Sequence, residues 1–177
     1  MSTAPGRTGA GGTAPGGTTT EAELRRLAGA VPDPELPVLT LEDLGVLRAV
    51  RVLGPGRAEV DLTPTYTGCP AVESMAADVT GVLAAHGWQA EVRTVLSPAW
   101  STDWISAEGR RKLREYGIAP PGPARPRSGP VPVELSVRCP RCGSPDTALL
   151  SRFSSTACKA LRRCRACDEP FEHFKEV

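Results

Sequence analysis

The chain has 177 residues, 40% of them hydrophobic and 23% charged, enough for one medium domain or two small ones. Its 21 Lys and Arg nearly balance 20 Asp and Glu, for a formal net charge of +1. That excludes a chain that binds nucleic acid through overall basic charge, and equally an acidic disordered one.

No apolar run approaches the roughly 18–20 residues that span a bilayer, so no membrane partner is expected. The first residues lack the apolar core of a secretory signal, and the expected compartment is cytoplasmic. Six Cys in such a chain read as metal ligands or reactive thiols before disulfides.

Residues 1–20 are almost entirely Gly, Pro, Ala, Thr and Ser, with nothing to bury, and a disordered tail is expected. Thr20 followed by Glu23 fits a capping box, and Leu24 and Leu27 open a short helix. The stretches 46–53 and 58–63 flank Gly54-Pro55-Gly56, a hairpin signal, and Val60 and Leu62 alternate with Glu59 and Asp61. Val72, Met75, Val79, Val82 and Leu83 recur at helical spacing over 71–86, with Gly87 as the stop. Residues 90–96 read as a third strand and 106–116 as a last helix closed by Gly117. Residues 21–116 therefore form a small α+β domain, helices packed on a short mixed sheet.

Six Pro and three Gly fall within residues 117–132, a density at which neither a helix nor a ladder strand is expected, so this reads as an extended linker. Residues 133–177 form the second module.

That module carries Cys139-Pro-Arg-Cys142 and Cys164-Arg-Ala-Cys167, separated by 21 residues. Two intervening residues let both sulfurs of a tight turn face one ion, and two such turns complete a tetrahedron, the zinc-ribbon pattern. Strands over 148–154, 160–163 and 171–175 would carry the knuckles. So short a segment cannot bury enough surface to fold alone. A structural zinc supplies about 10–16 kcal/mol. Iron, an iron–sulfur cluster and paired disulfides remain the other occupancies of the same four sulfurs. Cys158 lies outside both knuckles and reads as a small buried hydrophobe. His173 reads as a strand side chain. The basic run Lys159, Arg162, Arg163 and Arg165 is either a solvated, protein-binding face or a phosphate contact.

Cys69 lies in Thr65-Tyr66-Thr67-Gly68-Cys69-Pro70, ahead of the long helix. With Pro at the first helical position, Cys69 is the expected N-cap, where orphan N–H groups and the macrodipole should lower its pKa. It is either a reactive, metal-handling thiol or an ordinary cap. Asp33-Pro34-Glu35-Leu36-Pro37 holds two carboxylates in stiff backbone, either metal-ligating or docking groups, or simply an acidic turn. No catalytic triad, phosphate loop, dinucleotide fingerprint or zincin motif is present, and with only His86 and His173 available general acid–base catalysis has few candidates.

The segments 33–37, Glu42-Asp43-Leu44-Gly45 and 65–71 resemble the small domain of SufT-like iron–sulfur assembly factors. Residues 97–105 (Ser-Pro-Ala-Trp-Ser-Thr-Asp-Trp-Ile), 113–121 and 153–161 narrow the resemblance to the PaaD family of phenylacetate-degradation proteins. It covers about residues 21–177.

The resemblance implies a non-catalytic accessory factor, encoded with a multicomponent phenylacetyl-CoA epoxidase, that helps mature its iron–sulfur or di-iron centres. It implies a reactive, cluster-handling thiol at Cys69, with a transient iron or iron–sulfur cluster as cargo. It also implies a metal set at Cys139, Cys142, Cys164 and Cys167, and marks Cys158 as part of a family motif. The implied partners are the oxygenase and reductase subunits of the epoxidase, together with iron–sulfur assembly machinery. Asp33 and Glu35 would stand near Cys69. Trp100, Asp103 and Trp104 would dock on the client, unless the indoles pack the core. The rival functions are a structural subunit of the oxygenase, a ribbon that binds nucleic acid, and a thiol-redox enzyme.

Overall fold

The computed structural model describes residues 20–122 and 137–176. The expected tail (apart from Thr20), the linker beyond Gly122 and the first four residues of the second module lie outside the described residues.

Helix α1 (Glu21–Gly29) starts where expected, with the Thr20 hydroxyl accepting the Glu23 N–H at 3.3 Å, and buries Leu24 and Ala28 on one face. A short helix α2 (Leu41–Leu44), not anticipated from periodicity, is set by a complete capping box between Thr40 and Asp43. It closes at Gly45, whose φ is +68°. A Cβ there would stand 2.5 Å from the Trp104 carbonyl oxygen, so only glycine fits.

Strands β1 (Leu47–Gly54) and β2 (Arg57–Leu62) form the expected antiparallel hairpin, with Val50 opposite Val60. Helix α3 (Ala71–Ala85) then crosses over, burying Met75, Val79 and Leu83, and strand β3 (Gln89–Thr94) joins β2 in parallel with Val60 opposite Val92. The first sheet thus runs β1-β2-β3. Helix α4 (Ala107–Glu115), capped by the Ser106 hydroxyl on the Gly109 N–H at 2.8 Å, buries Leu113.

The second sheet has the order β4-β7-β6-β5, built from β4 (Ile118–Ala119), β5 (Thr147–Ser151), β6 (Lys159–Cys164) and β7 (Pro170–Phe174). Strand β4 corrects one expectation. The proline density over 117–132 predicts no ladder strand, yet Ile118 and Ala119 pair in parallel with Glu172 and His173. Both lie before Pro120, the first proline of the run, so their N–H groups remain available.

The two sheets share one apolar core. Phe174 of β7 and Cys158, just before β6, are buried in the same cluster as Leu24, Leu44, Val60 and Trp100. The Trp100 and Phe174 ring centroids lie 5.9 Å apart at 47°. A smaller cluster of Ala119, Val137 and Phe171 backs Cys139 and Cys164. Among the described residues no helix is long and apolar enough to cross a membrane.

Candidate metal centre and thiol site

The four thiols at 139, 142, 164 and 167 all lie within 4.8 Å of one another, the only set so close among the described residues. Two separations are the Cys139–Cys167 distance of 3.8 Å and the Cys142–Cys164 distance of 3.6 Å. Sulfurs placed about 2.3 Å from a tetrahedral zinc are about 3.8 Å apart, so the donor set fits such an ion. All four are free thiols.

Local backbone explains the convergence. Each Cys-x-x-Cys turn is followed by a left-handed residue, Gly143 at φ +74° and Asp168 at φ +61°. The Gly143 N–H returns to the Cys139 carbonyl at 2.9 Å, and the Cys139 N–H reaches the Ser144 carbonyl at 2.9 Å. Burial raises the Cys164 pKa, but the N–H groups of Cys167 and Ala166 and the neighbouring thiols bring it down to about 7, favouring the thiolate that a cation needs.

The second thiol site is built differently. Cys69 precedes α3, but Pro70 occupies the N-cap position and makes no side-chain cap. The expected fall in the Cys69 pKa is overturned. Burial is the largest cause and raises it, the hydrogen bonds from the Ala71 N–H and Tyr66 pull it back, and repulsion from Glu35 and Asp33 adds to the rise. The helix N-terminus acts over one turn, whereas the desolvation comes from a core that closes over a side chain only 8% exposed. Cys69 is nevertheless not sealed off: Thr67, Gly68 and Pro70 around it are exposed.

Cys158, in the turn just before β6, belongs to the same apolar core as Cys69. It is buried, its sulfur 3.1 Å from the Thr156 hydroxyl. Burial raises its pKa, and Glu35 and Asp33 repel its thiolate as they repel that of Cys69. The Tyr66 phenol is pushed up to about 12, first by burial and then by Cys69, Glu35 and Cys158. The bland reading of Cys158 holds as to burial but misses this company.

Asp33 is itself a turn former. Its Oδ1 accepts the N–H groups of Glu35 at 2.9 Å and Leu36 at 2.7 Å, while burial raises its pKa. Lys159 is only 4% exposed and is held by Glu172 at 2.7 Å. It lies close enough to Asp33, Glu35 and Cys158 to lower the pKa of each.

Sequence reasoning gave Tyr66 and Lys159 no part in this site. Tyr66 lies within the glycine-cysteine motif, a signal that was available, but the basic run hid Lys159 among surface charges. Within that run Lys159 alone is buried, while Arg163 and Arg165 are solvated and paired with acidic groups. Arg163 pairs with Asp168 at 3.0 Å and Arg165 with Asp146 at 3.7 Å.

Trp100 is 4% exposed and donates its indole N–H to the Leu44 carbonyl at 2.9 Å, so it packs the core rather than a surface. Trp104 is half-buried beneath the Arg48 guanidinium, 3.5 Å from its ring centroid, and Asp103 is exposed. His173 is buried on β7, 3.3 Å from Glu176, and stands apart from the four-thiol set.

Comparison with known proteins follows this division. Residues 124–175 match the PaaD zinc beta ribbon domain, and residues 21–96 match the family of iron-sulfur cluster assembly proteins. The chain is 47% identical over 154 residues to an Escherichia coli protein named as one of the subunits of 1,2-phenylacetyl-CoA epoxidase, covering 86% of this chain and 91% of that one. It is 32% identical over 98 residues to an Fe-S protein maturation auxiliary factor of Porphyromonas gingivalis, covering 53% of this chain and 90% of that one. A crystal structure of a domain of unknown function from Bacillus anthracis is 30% identical, with a TM-score of 0.49, covering 52% of this chain and 90% of that one.

Proposed function

This chain belongs to the PaaD family of 1,2-phenylacetyl-CoA epoxidase subunits, and on that premise we propose that it is a non-catalytic maturation factor for such an enzyme. In this reading Cys69 takes up iron or a nascent iron–sulfur cluster as cargo and passes it to an oxygenase or reductase subunit. The observation that supports it is the setting of Cys69: a buried thiol beside Tyr66, Glu35 and Asp33, on a loop whose neighbouring residues are open to solvent.

A thiol that stays protonated at neutral pH binds a cation only by releasing its proton, which makes binding reversible by acid and by competing thiols. That suits carriage better than permanent storage. It also counts against a thiol-redox enzyme, which needs a thiolate at rest.

The second module plays a structural part. Cys139, Cys142, Cys164 and Cys167 would hold a zinc ion, which supplies folding energy and no chemistry of its own. The acidic partners of Arg163 and Arg165 offset the local basic charge on which nucleic-acid binding would draw.

The test is complementation. In cells lacking the wild-type protein, Cys69→Ser should fold yet fail to restore epoxidase activity. Full activity with that variant would reject the thiol role. A maturation factor should also be dispensable once the purified epoxidase is loaded with metal. If activity then still tracks the presence of this chain in the complex, its role is structural instead.

A further inference from the structure

The edges of the two sheets are not alike. On β1, side chains of α1 take up backbone groups: the Arg25 guanidinium donates to the Arg48 and Leu47 carbonyls at 3.4 and 3.3 Å, and the Val52 N–H donates to the Glu21 carboxylate at 2.9 Å. Strand β3 carries Glu91 and Arg93, charges that discourage pairing, and β4 is only two residues long. Strand β5 is the outermost strand of the second sheet, and among the described residues no side chain bonds to the backbone of Thr147–Ser151.

Strand β5 and the turn after it also expose large apolar side chains. Leu149 is 48% exposed, Leu150 54% and Phe153 66%. The strand holds neither the charges nor the prolines that blunt natural edges. Its one such device is the register irregularity between Leu149 and Ser151.

We propose that this edge pairs with the same edge of a second copy of the chain, antiparallel about a twofold axis at Leu149, joining two four-stranded sheets into one. Leu149 is the midpoint of Thr147–Ser151, so this register gives every residue of the strand a partner. Counted outward from the axis, Leu149 meets Leu149 of the second copy, Leu150 meets Ala148, Ser151 meets Thr147, Arg152 meets Asp146 and Phe153 meets Pro145. Apolar groups face apolar groups, hydroxyls face hydroxyls and a guanidinium faces a carboxylate.

The charges are free to do so. Within one chain Arg152 is exposed and has no acidic partner among the described residues. Asp146 is exposed too, and its ion pair with Arg165, at 3.7 Å, is the longest among the described residues. A slip of one residue would set Arg152 against Pro145 or Thr147 and lose both new pairs. Neither Cys69 nor the four ribbon thiols take part. The patch lies near the lower size limit for a stable interface, so the dimer should exchange with monomer at a dissociation constant on the order of 10 μM.

The experiment is sedimentation equilibrium of the full chain with its ribbon zinc, under reducing conditions, from about 1 to 500 μM. The mass should rise from 18.6 kDa to twice that value, and a mass that stays at 18.6 kDa throughout would overturn the proposal. Leu149→Lys, which sets two lysines on the axis, should weaken association roughly tenfold or more. Unchanged association would place the interface elsewhere and reject the β5 edge. Asp146→Arg and Arg152→Asp should each weaken association by setting like charges opposite one another. An equimolar mixture of these two variants should associate again, because opposite charges then meet in the mixed dimer. No recovery in the mixture would overturn the register. Zinc content and circular dichroism check that each variant folds. If Leu149→Lys does not, Phe153→Ser, beyond the ladder, takes its place with the same expected loss.

Discussion

The ribbon centre pairs two buried thiols with two exposed ones, whereas the Cys69 neighbourhood is buried, and the surroundings of Cys164 and Cys69 differ. In the ribbon, left-handed residues after each knuckle draw four sulfurs together, and backbone N–H groups favour the thiolate at Cys164. Around Cys69, burial and two carboxylates favour the neutral thiol. The first arrangement is preorganised for a resident ion. The second disfavours charge on the sulfur, a stability cost of the kind found at working sites. The difference lies in what surrounds the sulfur rather than in the sulfur.

The largest effect should come from the ribbon. Cys164→Ser, or removal of its metal by a chelator, forfeits a binding free energy on the order of 10 kcal/mol. Because Phe174 and Cys158 belong to the common core, the whole chain should lose melting temperature in one cooperative transition, followed by circular dichroism. Two separated transitions would show that the halves are thermally independent.

Next is Phe174→Ala, expected to cost about 3–5 kcal/mol by emptying the contact with Trp100. Zinc stoichiometry should stay at one per chain while the melting temperature falls, which would separate holding the ribbon metal from packing the shared core.

Lys159→Ala should cost about 3 kcal/mol, because Glu172 would be left partly buried without its cation. The pH dependence carries the same information. Although burial opposes it, hydrogen bonds from Lys159, Ser154 and Ser155 hold Glu172 at about 2, below its ordinary 4.5. Its contribution is therefore present above pH 4.5 and is lost as pH falls toward about 2. Lys159→Ala should flatten the fall in stability over that window in acid denaturation.

The smallest effect has the opposite sign. Glu35 has a raised pKa, so its penalty is present at neutral pH and disappears as pH falls through its folded value. Glu35→Gln should stabilise the protein by about a few tenths of a kcal/mol at pH 7, since water screens a half-exposed carboxylate. A loss of stability at neutral pH would contradict the strained reading of the thiol site.

Much of the fold was legible because its signals are short-range. Helical spacing over 71–86 and the Gly54-Pro55-Gly56 turn each state their own local geometry, and both elements are present. Helix α2 escaped because a single turn is too short to show periodicity, although Thr40 and Asp43 spelled a capping box. Strand β4 escaped because composition averaged over 117–132 concealed the two residues ahead of the first proline.

The four-cysteine centre was written in the sequence, since Cys-x-x-Cys spacing dictates where two sulfurs point whatever lies elsewhere in the chain. The state of Cys69 was not. Its pKa depends on Asp33 and Glu35, more than thirty residues earlier in the sequence, and on how deeply the core covers it. The burial of Trp100 against Phe174 is likewise a contact between distant segments. Local spacing carries local geometry. Burial and electrostatic neighbourhood are sums over the packed molecule, and only its tertiary structure decides them.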